Sequence, residues 1–127
     1  MKCGLLGCHL SHSYSPQIHG MLGTYDYDLI EVEPEDLESF LRNGDFSGIN
    51  VTIPYKQAVM PLCDELSETA QAIGSVNTIV RRKDGTLYGD NTDAYGFLAM
   101  AQRAGIDLNG KKVLVLGSGG TSRTSCA

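Results

Sequence analysis

Gly48-Ile49-Asn50-Val51-Thr52-Ile53-Pro54-Tyr55-Lys56 alternates apolar and polar side chains and then breaks at a proline. β-branched residues at Ile49, Val51, Thr52 and Ile53 suit a strand with one face buried and the other lining something polar. Pro54 has no N–H to give a ladder, so the strand is expected to span 48–53 and stop there. The fixed φ of proline suits the first turn of a helix. Asn50 and Thr52 share one face of such a strand, with Lys56 a turn beyond. An amide, a hydroxyl and an amine converging at a strand end match a hydroxylated, anionic small molecule. The same residues also describe a solvated edge strand followed by a surface lysine, and the run alone leaves both readings open.

Outward from this run, helical and strand patterns alternate. Lys2 to Gly7 reads as a short apolar strand, followed by a polar loop over 8–14. Ser15-Pro16 has the form of a helix start, a hydroxyl cap followed by proline, with Ile18, Met21 and Leu22 as its buried stripe. A second strand is predicted over 27–33. Pro34 opens a helix carrying Leu37, Phe40 and Leu41 on one face, closed by Asn43-Gly44. Beyond the central strand come short helices over 55–60 and 67–73, the second ended by Gly74. Residues 76–82 and 86–88 flank Lys83-Asp84-Gly85 as a β-hairpin. A helix over 93–104 follows, with Phe97, Leu98, Ala101 and Ala104 inward. Strands separated by helices predict an α/β domain over 1–105, a mostly parallel mixed sheet flanked by helices, with ligands beyond the carboxyl ends of its strands.

A chain of 127 residues with 42% hydrophobic content accommodates one core and not two complete domains. A net charge of −5 supplies no basic stripe for a nucleic acid. No apolar run reaches membrane-spanning length, and Met1-Lys2 leads into a strand rather than a signal peptide. The four cysteines, Cys3, Cys8, Cys63 and Cys126, lack paired CxxC spacing. They read as reduced thiols of a cytoplasmic protein, with no metal site expected.

Polar residues cluster in four places. Ser13-Tyr14-Ser15-Pro16 puts two hydroxyls at a helix N-terminus, where free N–H groups can hold a carboxylate; capping by Ser15 alone accounts for the same pattern. Asn50, Thr52 and Lys56 form the second grouping. In Ser75-Val76-Asn77-Thr78, Asn77 can bind a ligand hydroxyl or tie up loop backbone. In Gly89-Asp90-Asn91-Thr92-Asp93, Asp93 reads equally well as an N-cap carboxylate. His12 and His19 receive no role.

These segments, SxSP, NVTxPxK, SVNT and GxNTD in this order and spacing, resemble the substrate-binding domain of shikimate dehydrogenase. The resemblance covers residues 1 to about 105 and continues beyond. Lys111 to Leu116 has a buried-strand pattern running into Gly117-Ser118-Gly119-Gly120-Thr121-Ser122. This is similar to the glycine-rich turn that opens the family's dinucleotide-binding Rossmann domain. Residues 106–127 are accordingly read as the first strand and phosphate loop of that domain.

The resemblance implies reversible, NADP-dependent reduction of 3-dehydroshikimate to shikimate in aromatic amino-acid biosynthesis. It implies that Ser13 and Ser15 hold the substrate carboxylate and that Asn50, Thr52, Asn77 and Asp93 contact ring hydroxyls. Lys56 and Asp93 would be the catalytic pair, and Gly117, Gly119 and Gly120 would contact the cofactor. Whether Lys56 shuttles the proton or acts as a fixed positive charge stays open. A quinate/shikimate dehydrogenase using NAD shares most of these motifs, and a non-catalytic shikimate-binding module is the reading from another class. The sequence ends within the helix after Gly120, so the 127 residues alone are not expected to work as a dehydrogenase.

Overall fold

The computed structural model describes residues 1–126; Ala127, the last residue of the segment read as the start of a second domain, lies outside the described residues. Strands β1 (Lys2–Gly7), β2 (Asp26–Glu31), β3 (Gly48–Val51), β4 (Glu65–Leu66), β5 (Thr78–Arg81) and β6 (Leu87–Asp90) form one sheet in the order β2-β1-β3-β5-β6-β4. β1 pairs in parallel with β2 and β3, and β4 in parallel with β6, whereas β5 runs antiparallel to both β3 and β6. The mixed, mostly parallel sheet is the one the alternating pattern predicts. Helices α1 (Ser15–Leu22), α2 (Leu37–Asn43), α3 (Glu68–Ile73), α4 (Asp93–Arg103) and α5 (Gly120–Cys126), with short 3-10 turns over Pro34–Asp36 and Met60–Leu62, complete the described elements.

The core gathers Leu6 of β1, Ile49 and Val51 of β3, and Ile79 and Leu87 of β5 and β6, with Leu37 and Leu41 from α2. Tyr55, Val59, Ala70 and Val76 extend it beneath the strand ends. Local signals set several boundaries. The Ser67 hydroxyl caps α3 by accepting from the Ala70 N–H at 3.0 Å, and Gly74 ends it in the left-handed region at φ +71°. The β5–β6 turn closes with the Arg82 N–H on the Thr86 carbonyl at 2.8 Å.

Several expected elements differ. The central strand ends at Val51 and not at Ile53, and the Ile53–Pro54 peptide is cis. No α-helix forms over 55–60; the segment is a series of turns, among them Tyr55 N–H to Thr52 O at 2.9 Å and Val59 N–H to Tyr55 O at 3.0 Å. Bounded by Pro54 and Pro61, it is too short to repay helix nucleation. In α1, Ile18, Met21 and Leu22 are exposed, the last two by 80% and 72%. The face of α1 that meets the sheet is carried instead by His19, whose ring stacks on Tyr27 of β2 at 3.7 Å. In α4 only Ala101 is buried; Leu98 and Ala104, the residue that follows the helix, are exposed. Residues 111–116 form no strand, and Leu114 and Leu116 are largely exposed. A strand is held by a neighbour's ladder, and none of the described strands pairs with this segment.

Arg81, at the end of β5, ties the sheet to α2. Its guanidinium donates to the Leu41 and Gly44 carbonyls at 2.7 and 3.3 Å and lies over the Phe46 ring at 4.4 Å. Arg81→Met leaves those helix-end carbonyls without that donor and removes the cation–π contact, at an expected cost of about 1–3 kcal/mol. Urea unfolding checks this; a midpoint equal to that of the wild type would show that water replaces the guanidinium at no cost.

Candidate substrate site

The site is assembled where β3, β5 and the start of α4 converge. Val51 N–H donates to the Asn77 carbonyl at 2.7 Å, and Val76 N–H donates to the Lys56 carbonyl at 2.7 Å. These two bonds lay the turn carrying Lys56 alongside the residues that lead into β5. Asn77 N–H in turn donates to the Asp90 carbonyl at 3.0 Å, which draws the β6–α4 connection to the same place.

Asp93 is the first residue of α4, yet it does not cap that helix. The Asn91 side-chain oxygen accepts from the N–H groups of Asp93 and Ala94 at 3.1 and 3.3 Å, and the Asn91 amide donates to the buried Ser75 carbonyl at 2.9 Å. Asn91 therefore satisfies the orphan donors of the helix start and anchors it to the loop before β5. The Asp93 carboxylate is left available for side-chain partners. Its Oδ2 accepts from Lys56 Nζ at 2.5 Å, and its Oδ1 accepts from the Asn77 amide at 2.8 Å. Lys56 is 14% exposed and Asp93 35%, so the pair is half-sheltered and open to a ligand on one side.

Asn77 is the hub. Its oxygen accepts from the Thr92 backbone N–H at 2.9 Å and from the Thr78 hydroxyl at 3.0 Å. The Asn50 amide donates to Thr78 Oγ1 at 3.4 Å, and the Asn50 oxygen accepts from the Tyr27 hydroxyl at 2.8 Å. A continuous chain of hydrogen bonds thus runs from β2 to Lys56. Burial pushes the Tyr27 phenol up to about 12, partly offset by the Ser15 hydroxyl beside it. Tyr27 is therefore a neutral donor at physiological pH.

Lys56, Asp93, Asn77 and Asn50 are brought into this one network, and Ser15 adjoins it through Tyr27. Ser13 and Thr52 lie apart from the chain of bonds, on a cleft of about 590 Å³ with Leu10, Ile53 and Pro54. The Ser13 hydroxyl accepts from the Ser15 N–H at 3.2 Å, and Ser15 begins α1 rather than capping it. A second cleft, of about 700 Å³, shares Ile53 and Pro54 and is lined by Lys56, Gly117, Gly119 and Gly120. A third, of about 330 Å³, holds Lys56, Asp93, Phe97 and Thr124. The ligand contacts implied for Ser13 and Thr52 and those implied for Lys56 and Asp93 thus fall in adjoining clefts rather than in one pocket. α5 packs close over the lysine, where a Cβ at Gly120 would stand 3.2 Å from Lys56 Cβ and from Ser75 Oγ, and its residues line both the second and the third cleft.

Tyr27, Thr78, Thr92 and Asn91 take part in the network although their residue types gave no functional signal. Thr78, Thr92 and Asn91 sit inside quoted motifs, and adjacency to Asn77 and Asp93 was the available clue. Tyr27 lies in a strand with no motif, and only the β1–β2 pairing, with Cys3 opposite Tyr27, brings it near β3.

The model of the shikimate dehydrogenase substrate binding domain matches residues 5–79. The chain belongs to the shikimate dehydrogenase family. It is 41% identical to the shikimate dehydrogenase (NADP(+)) of Ruegeria sp. strain TM1040 over 98% of its length and 49% of that protein. With the corresponding protein of Rubrobacter xylanophilus the identity is 44%, over 94% and 45% of the two chains. Shikimate dehydrogenase 1 from Peptoclostridium difficile superposes with a TM-score of 0.92 at 40% identity, over 99% of this chain and 50% of that one. The Thermus thermophilus enzyme in complex with NADP(H) and shikimate gives 0.86 at 37% identity, over 98% and 49%. The chain therefore spans about half the length of the shikimate dehydrogenases it matches. Among the described residues no group of His, Cys, Asp and Glu side chains is placed to hold a metal ion, and no helix is long and apolar enough to cross a membrane.

Proposed function

We propose that this chain is the substrate-binding half of an NADP-dependent shikimate dehydrogenase, which reversibly reduces 3-dehydroshikimate to shikimate. The observation that carries the proposal is the Lys56–Asp93 pair at 2.5 Å, with the second carboxylate oxygen held by Asn77. Oxidising a secondary alcohol requires the hydroxyl proton to leave as the hydride departs, and the reverse reaction requires a donor for the carbonyl oxygen. Lys56 Nζ is the group for that proton or for the charge developing on oxygen. Asp93 Oδ2 keeps the amine in place, and Asn77 keeps the carboxylate from rotating away. Ser13 and Ser15 hold the substrate carboxylate, and Asn50, Thr52, Asn77 and Asp93 take the ring hydroxyls.

The glycine loop fits the near edge of a dinucleotide. Gly117 adopts φ +125°, a conformation open to glycine, and the loop forms a wall of the 700 Å³ cleft that reaches Lys56. NADP, when bound there, supplies the hydride acceptor or donor. Gly117, Gly119 and Gly120 are the residues that would approach its phosphates.

Calorimetry with shikimate tests the substrate assignment on this chain. Ser15→Ala is expected to weaken binding by about 1–3 kcal/mol, the cost of withdrawing one hydrogen-bonding partner from a sheltered polar group. Equal affinities for wild type and variant would reject Ser15 as a carboxylate ligand.

A further inference from the structure

We infer that Tyr27 is a positioning residue of the ligand site, whose phenol holds the Asn50 side-chain amide with its N–H group, not its C=O, available to the ligand. The inference rests on the shikimate-binding reading above, and its argument is one of hydrogen-bond polarity. An asparagine amide can rotate by half a turn and keep its shape, so its orientation is set by its partners. The chain of side chains here begins at a group that cannot be reversed. The Thr92 backbone N–H is a donor only, and it meets Asn77 Oδ1 at 2.9 Å. Asn77 is thereby fixed with its oxygen toward Thr92 and Thr78, and its amide toward Asp93, an acceptor, at 2.8 Å.

Thr78 has one hydroxyl proton, and it is given to Asn77 Oδ1 at 3.0 Å. Toward Asn50 the Thr78 oxygen can then only accept, and Asn50 Nδ2 faces it at 3.4 Å. That contact is long and weak on its own. The short bond at the other end of the amide is the one from the Tyr27 hydroxyl to Asn50 Oδ1 at 2.8 Å. The phenol is itself braced: the His19 ring stacks on it at 3.7 Å with planes 11° apart, and His19 Nδ1 lies 2.6 Å from the Tyr25 hydroxyl. Tyr27 is thus the rigid donor that occupies the Asn50 oxygen and leaves the second amide N–H for an acceptor oxygen on the ligand. With phenylalanine at 27 only the weak Thr78 contact resists rotation of the amide.

The test is a double-mutant cycle on the 127-residue chain with shikimate as the titrant. Tyr27→Phe keeps the ring that stacks on His19 and is expected to weaken shikimate binding about 5- to 15-fold. The phenol also adjoins the Ser15 hydroxyl, so the cycle is run in a Ser15→Ala background; with Asn50→Ala added there, the same substitution is expected to change the affinity less than twofold, because Tyr27 acts through Asn50. A second measurement needs no variant: titrating the wild type with shikimate should shift one of the two Asn50 side-chain amide protons in the NMR spectrum. A wild type that binds shikimate while the two losses add, or while both Asn50 protons stay unmoved, overturns the positioning role alone. A wild type that does not bind shikimate removes the substrate reading, and this inference with it. A purely structural role for Tyr27 would lower the urea midpoint without producing the non-additive affinities.

Discussion

In an enzyme assembled by joining this chain to a family nucleotide-binding half, Lys56→Ala lowers kcat by about 10²- to 10⁴-fold, the range lost with a general acid–base group. The dissociation constant of shikimate is expected to change far less, because the proposed hydroxyl and amide contacts of Ser13, Ser15, Asn50 and Asn77 are retained. The reason lies in the geometry. Lys56 Nζ is the one cation of the network, held on Asp93 at 2.5 Å, and alanine there removes the group proposed to handle the reacting oxygen. Reduced-nicotinamide absorbance with shikimate and NADP measures kcat, and calorimetry measures the affinity. A variant that keeps kcat and only raises KM would reduce Lys56 to a binding group. Lys56→Arg separates the two roles that remain. Arginine keeps the positive charge but does not give up its proton near neutral pH. A loss as deep as that of alanine assigns proton transfer to Lys56, whereas recovery of activity assigns electrostatic stabilisation.

Ile79→Ala is expected to destabilise the domain by about 2–5 kcal/mol, the cost of a large-to-small change at a fully buried site. Ile79 is wholly shielded from solvent in β5, opposite Ile49 of β3 and Gly89 of β6. Glycine on one side offers no side chain to move into the space, so the cavity persists. Since domains of this size are stable by only about 5–15 kcal/mol, the variant forfeits a large share of the total. Denaturant unfolding with an unchanged slope and a lowered midpoint is the expected result. A loss below about 1 kcal/mol would mean that the core collapses onto the alanine and that no cavity persists at this site.

Much of the site was legible in the residues themselves. Lys56, after a strand that ends in a proline turn, and Asn77, between a helix stop and a hairpin, stood out as candidates by position, and only the family resemblance attached roles to them. The helix stop at Gly74 and the Lys83-Asp84-Gly85 turn were also readable, because helix ends and turns depend on a few consecutive backbone units. Periodicity was sufficient for the sheet strands that have apolar neighbours on both sides.

What lay outside its reach depended on contacts between segments distant in the chain. Asp93 looked like a helix cap by every local rule, and the tertiary fold hands that task to Asn91 because the Ser75 carbonyl holds the Asn91 amide in place. Only then is the carboxylate available to Lys56. Tyr27 carries no motif, and parallel pairing of β1 with both β2 and β3 is what brings its phenol to Asn50. The aliphatic pattern of α1 and the apolar run at 111–116 have the periods of buried elements, but burial requires an opposing surface, and for these segments none of the described elements supplies it. The sequence by itself determined the residue types and the local turns; the tertiary structure alone decided which polar groups are already satisfied and which remain free to act, because a side chain's partners are set by distance in space and not along the chain.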